Sequence, residues 1–138
     1  MDFGEIEFRE GQVPEADELV RLYEAREWSS AKKPEALHAA MEGSHFLVTV
    51  WAEDQLVGLG NAISDGALVA YFPHLIVHPD FGGRGIGKAI VERLQARYAG
   101  FHQQCLISDS MAAGFYEKCG FERVDRCPAM WIYAGDDH

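Results

Sequence analysis

The densest chemical signal in this 138-residue chain is a cluster of glycines. Pro79-Asp80-Phe81-Gly82-Gly83-Arg84-Gly85-Ile86-Gly87-Lys88 carries four glycines within six residues, between a strand-like apolar run and a helix-like one. Glycine lets the backbone turn sharply and aim several N–H groups one way, and the first turn of a helix adds a partial positive charge. Such a loop suits a phosphate or pyrophosphate, with Arg84 and Lys88 beside it. Two familiar phosphate loops do not fit. A G-x-x-x-x-G-K-[ST] loop needs a hydroxyl after the lysine, and Ala89 stands there. A G-x-G-x-x-G fingerprint needs a third glycine where Ile90 stands.

Other reactive residues are sparser. Cys105, Cys119 and Cys127 cannot all pair within the chain and form no C-x-x-C, so reduced thiols in a cytoplasmic protein are expected. His74 and His78 have no cysteine or carboxylate cluster around them, and no metal site is expected. His78, beside Pro79, is expected to be exposed. The formal charge of −10 argues against nucleic-acid or anionic-membrane partners and would favour a cationic amine. No apolar run approaches the roughly 20 residues of a membrane span, and the first residues lack a signal-peptide pattern.

The elements that must position these groups alternate in type. Ile6–Arg9 alternates like a short strand, and Pro14 opens a helix with Glu15, Asp17 and Glu18 in its first turn. Its apolar face is Ala16, Leu19, Val20, Leu22 and Tyr23. A second helix runs from Pro34 to about Met41, stopped near Gly43. His45–Trp51 and Gln55–Gly60 form a hairpin around Glu53-Asp54. Ala67–Phe72 and Leu75–Val77 make one long strand broken at Pro73, which predicts a bulge or a splayed edge. A helix over Gly85–Tyr98, a strand over Gln104–Ser108 and a helix over Met111–Lys118 follow. Strands near Phe121–Arg123 and Met130–Tyr133 close the chain.

With these elements in order, the chain resembles the GCN5-related N-acetyltransferase (GNAT) superfamily. Gly82-Gly83-Arg84-Gly85-Ile86-Gly87 matches that family's Q/R-x-x-G-x-G/A loop except at its first position. Val77-His78-Pro79 resembles its V-x-P strand end, and Phe115-Tyr116-Glu117-Lys118-Cys119-Gly120-Phe121 its F-Y-E-K-x-G-F segment. The resemblance implies one α/β domain over residues 1–138. It would have a mixed central sheet of about seven strands with splayed central strands, flanked by about four helices.

The resemblance also implies the chemistry. Acetyl-CoA would be the acyl donor and a primary amine the acceptor, with no metal. Backbone N–H groups of Gly83, Arg84, Gly85, Ile86, Gly87 and Lys88 would hold the pyrophosphate. Leu75, Ile76 and Val77 would pair with the pantetheine arm, and an N–H near Ile76 or Val77 would face the thioester oxygen. Tyr116 would be the general acid at the leaving sulfur, since a phenol stays protonated at neutral pH. Relatives often carry a carboxylate base on the strand that here reads Tyr71-Phe72-Pro73-His74, and only His74 among these titrates near neutrality. The usual positions align with Tyr71 or Pro73, so His74 serves only if a bulge turns it to their face. Asp109 stands where many relatives have an asparagine that contacts the cofactor arm; an ionised Asp accepts only, and it would equally cap the next helix. Glu24, Trp28, Tyr71 and Trp131 are candidates to line the acceptor site, or to pack in the core. The acceptor is expected to be a small-molecule amine, with a protein lysine or N-terminus, or a non-catalytic CoA sensor, as the rival readings. A homodimer is compatible with the family.

Overall fold

A computed structural model describes residues 5–135. Its strands are β1 (Ile6–Glu10), β2 (Phe46–Ala52), β3 (Gln55–Ser64), β4 (Val69–Tyr71), β5 (Leu75–Val77) and β6 (Gln103–Cys105). Its helices are α1 (Ala16–Ala25), α2 (Pro34–Glu42), α3 (Ile86–Arg97) and α4 (Ala113–Lys118), with 3-10 turns at Ser29–Lys32 and Pro79–Phe81. The sheet runs β1-β2-β3-β4-β6, and β5 also pairs with β3. All pairs are antiparallel except β4 with β6, the parallel pair flanking the α3 crossover.

Each sheet face is covered by helix. α3 packs Ile86, Ile90 and Leu94 against Val48, Val50, Ala62, Ala70 and Phe72. β3 admits it by lacking side chains: a Cβ on Gly60 would lie 2.4 Å from Ile90 Cγ2. On the other face, Leu19, Leu22 and Tyr23 of α1 and Leu37 and Met41 of α2 cover Leu47, Leu56, Leu59 and Ile76. The i, i+3, i+4 spacing of the buried α1 residues is the apolar stripe expected of an amphipathic helix.

The bulge expected at Pro73 is present. β3 pairs Gly60 with Leu75 and Ile63 with Tyr71, so three steps along β3 face four along its partner. The extra residue lies within Phe72-Pro73-His74, where proline costs no ladder hydrogen bond. The insertion reverses the alternation of faces. Ala70 and Phe72 before it, and Leu75 and Val77 after it, all join the α3 side. Ile76 joins the α1/α2 side. His74, two residues from Ile76, shares that face with Tyr71.

The end of the chain departs from expectation. Neither Phe121–Arg123 nor Met130–Tyr133 is strand, so the described sheet has six strands rather than about seven. β6 offers an edge of three residues, shorter than the expected run to Ser108. The continuous apolar run Met130-Trp131-Ile132-Tyr133 joins no described ladder and stays exposed: Trp131 is 72% exposed, and its ring stacks on Tyr133 at 4.5 Å. The helix expected from Met111 also starts later, at Ala113.

Candidate functional site

β5 presents an open backbone edge. β6 pairs with β4 from Val69 to Tyr71, Phe72 N–H adds one more bond to Cys105 O at 3.0 Å, and no pairing of β6 with β5 follows. The central strands therefore splay beside β5. On the β3 side, His78 N–H donates to Val57 O at 2.8 Å and Asn61 N–H to His74 O at 3.2 Å. Antiparallel alternation between these two bonds sets Ile76 opposite Leu59 as a hydrogen-bonded pair. The Ile76 amide thus faces β3, whereas the N–H and C=O groups of Leu75 and Val77 face the open edge. Of the two amides expected near a thioester oxygen, Val77 is the one so directed. Arg26, just past α1, already uses this edge: its Nε donates to Val77 O at 2.7 Å.

Beyond β5 the glycine loop leads into the start of α3. Gly83 (φ 76°) and Gly85 (φ 80°) take left-handed backbone angles that L side chains rarely adopt, and no heavy atom lies within 4 Å of where their Cβ atoms would be. Gly85 is the N-cap of α3, and no side chain caps the helix start. The first-turn amides of Ile86, Gly87 and Lys88 have no partner within the helix, which leaves them suited to an anion. At Gly87 the neighbouring helix comes close: a Cβ there would lie in contact with Phe115 Cζ, at 3.4 Å.

That contact brings Tyr116, next to Phe115, to the same corner. The Tyr116 ring packs edge-on against Phe121 at 6.0 Å. Burial chiefly, with the Cys119 sulfur adding to it, pushes the phenol up to about 12. Asp109 shapes the turn ahead of α4: its carboxylate accepts from Met111 N–H at 3.1 Å and its carbonyl from Ala112 N–H at 2.9 Å. The turn precedes the helix: the N-cap of α4 is Ala112, with no side-chain cap, so Asp109 is not the cap expected of it.

His74 lies on the opposite face, at a cavity of about 330 Å³ lined also by Ser29, Ser30, Leu37 and Tyr133. Its Nδ1 meets Tyr23 Oη at 2.8 Å, and its ring contacts Tyr23 and Trp28 at 5.5 and 5.6 Å. Its main chain is pinned as well, through Asn61 Oδ1, which accepts His74 N–H at 3.1 Å. Asn61 is itself buried and donates from Nδ2 to Ser44 Oγ at 3.0 Å. Burial alone keeps the Tyr23 phenol protonated well beyond the ordinary tyrosine range.

Of the proposed lining residues, Trp28 reaches His74, and Tyr71 shares its sheet face. Glu24 and Trp131 are exposed. His78 is not exposed as expected. Its side chain is 15% accessible, sits edge-on to Phe81, and its Nδ1 accepts Asp80 N–H at 3.1 Å. Among the described residues there is no cluster of three or more His, Cys, Asp or Glu fit for a metal, and no helix long and apolar enough to cross a membrane.

The arrangement has counterparts. The family model for the GNAT acetyltransferase domain matches residues 9–128. The chain belongs to the GNAT acetyltransferases. An uncharacterized N-acetyltransferase of Pyropia yezoensis is 31% identical over 111 residues, covering 75% of this chain and 63% of that protein. A protein of Oryza sativa named serotonin N-acetyltransferase 2, chloroplastic, is 32% identical over 99 residues, 65% of this chain and 48% of its own length. The chain thus spans less than two thirds of these curated relatives. A GNAT-family protein of Streptococcus pneumoniae superposes with a TM-score of 0.82 at 25% identity, covering 94% of this chain and 98% of its own.

Within this GNAT fold, sequence reasoning missed Tyr23, Asn61 and Arg26. Tyr23 was assigned to the apolar stripe of α1, and it is fully buried there, yet its hydroxyl needs a polar partner, which is the one signal that pointed onward. Asn61 inside an apolar strand carried the same signal.

Proposed function

We propose that this protein moves an acetyl group from acetyl-CoA to a primary amine by direct attack, without a covalent enzyme intermediate. The open β5 edge leading to the uncapped start of α3 carries the reading, because an extended amide-bearing arm ending in a pyrophosphate matches both. When bound, acetyl-CoA supplies the electrophilic thioester. Leu75 and Val77 offer backbone groups along the edge, and the amides of Gly83 to Lys88 face the diphosphate. Val77 N–H is the donor directed toward a developing oxyanion, worth about 3–4 kcal/mol in acyl transfer.

On the acceptor side, His74 takes the proton from the amine. That role requires the tautomer with hydrogen on Nδ1, donated to Tyr23 Oη, leaving Nε2 as acceptor. Tyr116 faces the leaving sulfur and, with its pKa pushed up to about 12, keeps its proton throughout the working range. The small cavity beside His74 favours a small-molecule acceptor over a protein chain. Three free cysteines fit a reducing compartment, and the stroma of a chloroplast meets that condition as well as the cytoplasm does.

The test is thiol release from acetyl-CoA across a broad amine panel. Turnover with at least one primary amine is expected, and acetyl-CoA binding with no release across the panel would sink the transferase reading. In His74→Gln the rate should fall about 10²–10⁴-fold, and the acid-side limb of the kcat/KM profile should disappear. An acid limb that persists in the variant removes His74 as base.

A further inference from the structure

The bulge that turns His74 toward α1 and α2 must be held by something other than its own ladder. Pro73 has no N–H, and Phe72 N–H is spent on Cys105 O. Two residues on from the hydrogen-bonded Leu59–Ile76 pair, Asn61 stands opposite His74, and a regular antiparallel ladder would have them exchange both main-chain hydrogen bonds. One of these forms: Asn61 N–H donates to His74 O at 3.2 Å. The other goes elsewhere, since His74 N–H donates to Asn61 Oδ1 at 3.1 Å. A side-chain amide thus stands in for a backbone carbonyl at the last pair before the bulge. That side chain is on the α1/α2 face, which Asn61 shares with Leu59, so the His74 peptide is drawn toward that face. The rest of the network fixes which way the amide points. Nδ2 donates to Ser44 Oγ at 3.0 Å, and the Ser44 hydroxyl spends its own proton on Ala40 O at 2.9 Å. A flipped amide would set N–H against N–H at His74.

We infer that Asn61 is a positioning residue for the transfer: its amide holds the bulge and, through it, the place of the His74 ring. The inference rests on the reading of His74 as the residue that takes the proton from the amine. Asn61 is 3% exposed, so it has almost no surface to offer a substrate and acts through its neighbour. His74 is then fixed at two points, the ring by Tyr23 Oη at 2.8 Å and the main chain by Asn61. The two depend on each other. If the peptide relaxes toward a regular ladder, Nδ1 swings away from Tyr23, and a hydrogen bond is lost within a few tenths of an ångström beyond its normal range. The same network ends on Ala40, which lines the cavity with His74, so it ties the imidazole wall to the α2 wall.

The experiment is a double-mutant cycle of Asn61→Leu with His74→Gln, using the best amine of the panel, together with 15N spectra of the imidazole rings. Asn61→Leu keeps the shape of the side chain and removes its acceptor. Tyr23 on the ring, and Lys32, Lys33 and Tyr133 across the cavity, are the same in every variant. Alone, Asn61→Leu should lower kcat about 10- to 100-fold, the cost of a misplaced catalytic group. In the His74→Gln background it should cost less than about threefold, whereas a general weakening of the fold would lower both backgrounds alike. The His74 ring signals, assigned by their loss in His74→Gln, should move from one tautomer to a mixture of two. Ser44→Ala, at a part-buried position, removes the anchor of the amide and should act in the same direction by about three- to tenfold. A loss of equal size in both backgrounds, a loss carried by KM alone, or ring signals like those of wild type overturns the inference. If Asn61→Leu does not fold, Ser44→Ala takes its place in the cycle under the same criteria. Should His74→Gln turn over like wild type, or no amine be acetylated, the reading of His74 as base fails separately and the ring spectra decide by themselves. Signals shifted in Asn61→Leu or Ser44→Ala support the positioning role, and signals unchanged in both overturn it.

Discussion

Replacing Tyr116 with phenylalanine removes one oxygen from a half-buried ring and leaves its packing on Phe115 and Phe121 in place. Burial pushes the phenol up to about 12. A thiol has an ordinary pKa near 8.5, so complete transfer of the phenolic proton to the departing thiolate is uphill by about 3.5 units, or roughly 4.8 kcal/mol. Burial therefore makes Tyr116 a poorer acid while keeping it an uninterrupted donor. A hydrogen bond to a developing charge contributes about 1.5–3 kcal/mol, which converts to a loss of about 10- to 150-fold in kcat. Tyr116→Phe should fall in that range in a thiol-release assay, with little change in the KM for acetyl-CoA. The wild-type rate should show no fall assignable to Tyr116 below about pH 11. A variant with wild-type kcat refutes any role at the sulfur. A loss beyond about 10³-fold refutes the donor argument in favour of full proton transfer.

The same shift affects stability at high pH. The folded state holds the Tyr116 proton up to about 12 and the unfolded state only to about 10. The resulting stability is complete below pH 10 and lost as pH rises toward 12, at most about 2.7 kcal/mol from this residue, with Tyr23 adding in the same direction. Urea melts from pH 8 to 11.5 should show the fall in wild type and a shallower one in Tyr116→Phe; equal slopes would contradict it. At the cradle, Gly85→Val meets no steric wall but forces a β-branched residue to φ 80°. It should cost about 1–2 kcal/mol of stability and reduce acetyl-CoA affinity about tenfold or more by calorimetry, and unchanged affinity would detach the loop from the cofactor.

Local signals carried much of this fold. The glycine loop, the proline break and the helix stops were readable because each reflects a backbone rule that acts within a few residues. α2 begins at Pro34 and ends before Gly43 as its residues require, and the hairpin turns at Glu53-Asp54. What was not readable depended on distant partners. Met130–Tyr133 reads as a strand from its own residues, but a strand also needs a partner edge, and among the described residues nothing pairs with it. The Tyr23–His74 pair joins residues 51 positions apart and cannot be seen in either neighbourhood.

The bulge settles a question that neither motif nor charge could. Without the inserted residue His74 would turn toward α3, into the cluster built from Phe72, Ile86 and Ile90, where a basic imidazole has no access to an amine. With it, His74 faces α1 and α2, while the cradle proposed for the cofactor begins at the start of α3 on the other side of the sheet. The two halves of the proposed reaction thus lie on opposite faces of one ladder. An intact sheet would separate them, since paired strands lie under 5 Å apart and leave no passage. The ladder opens where β6 stops pairing after β4, alongside β5. On this reading the splay does more than admit the pantetheine arm: it lets a thioester held from the α3 side meet an amine held from the α2 side. The proline break and the short β6 are then two parts of a single device.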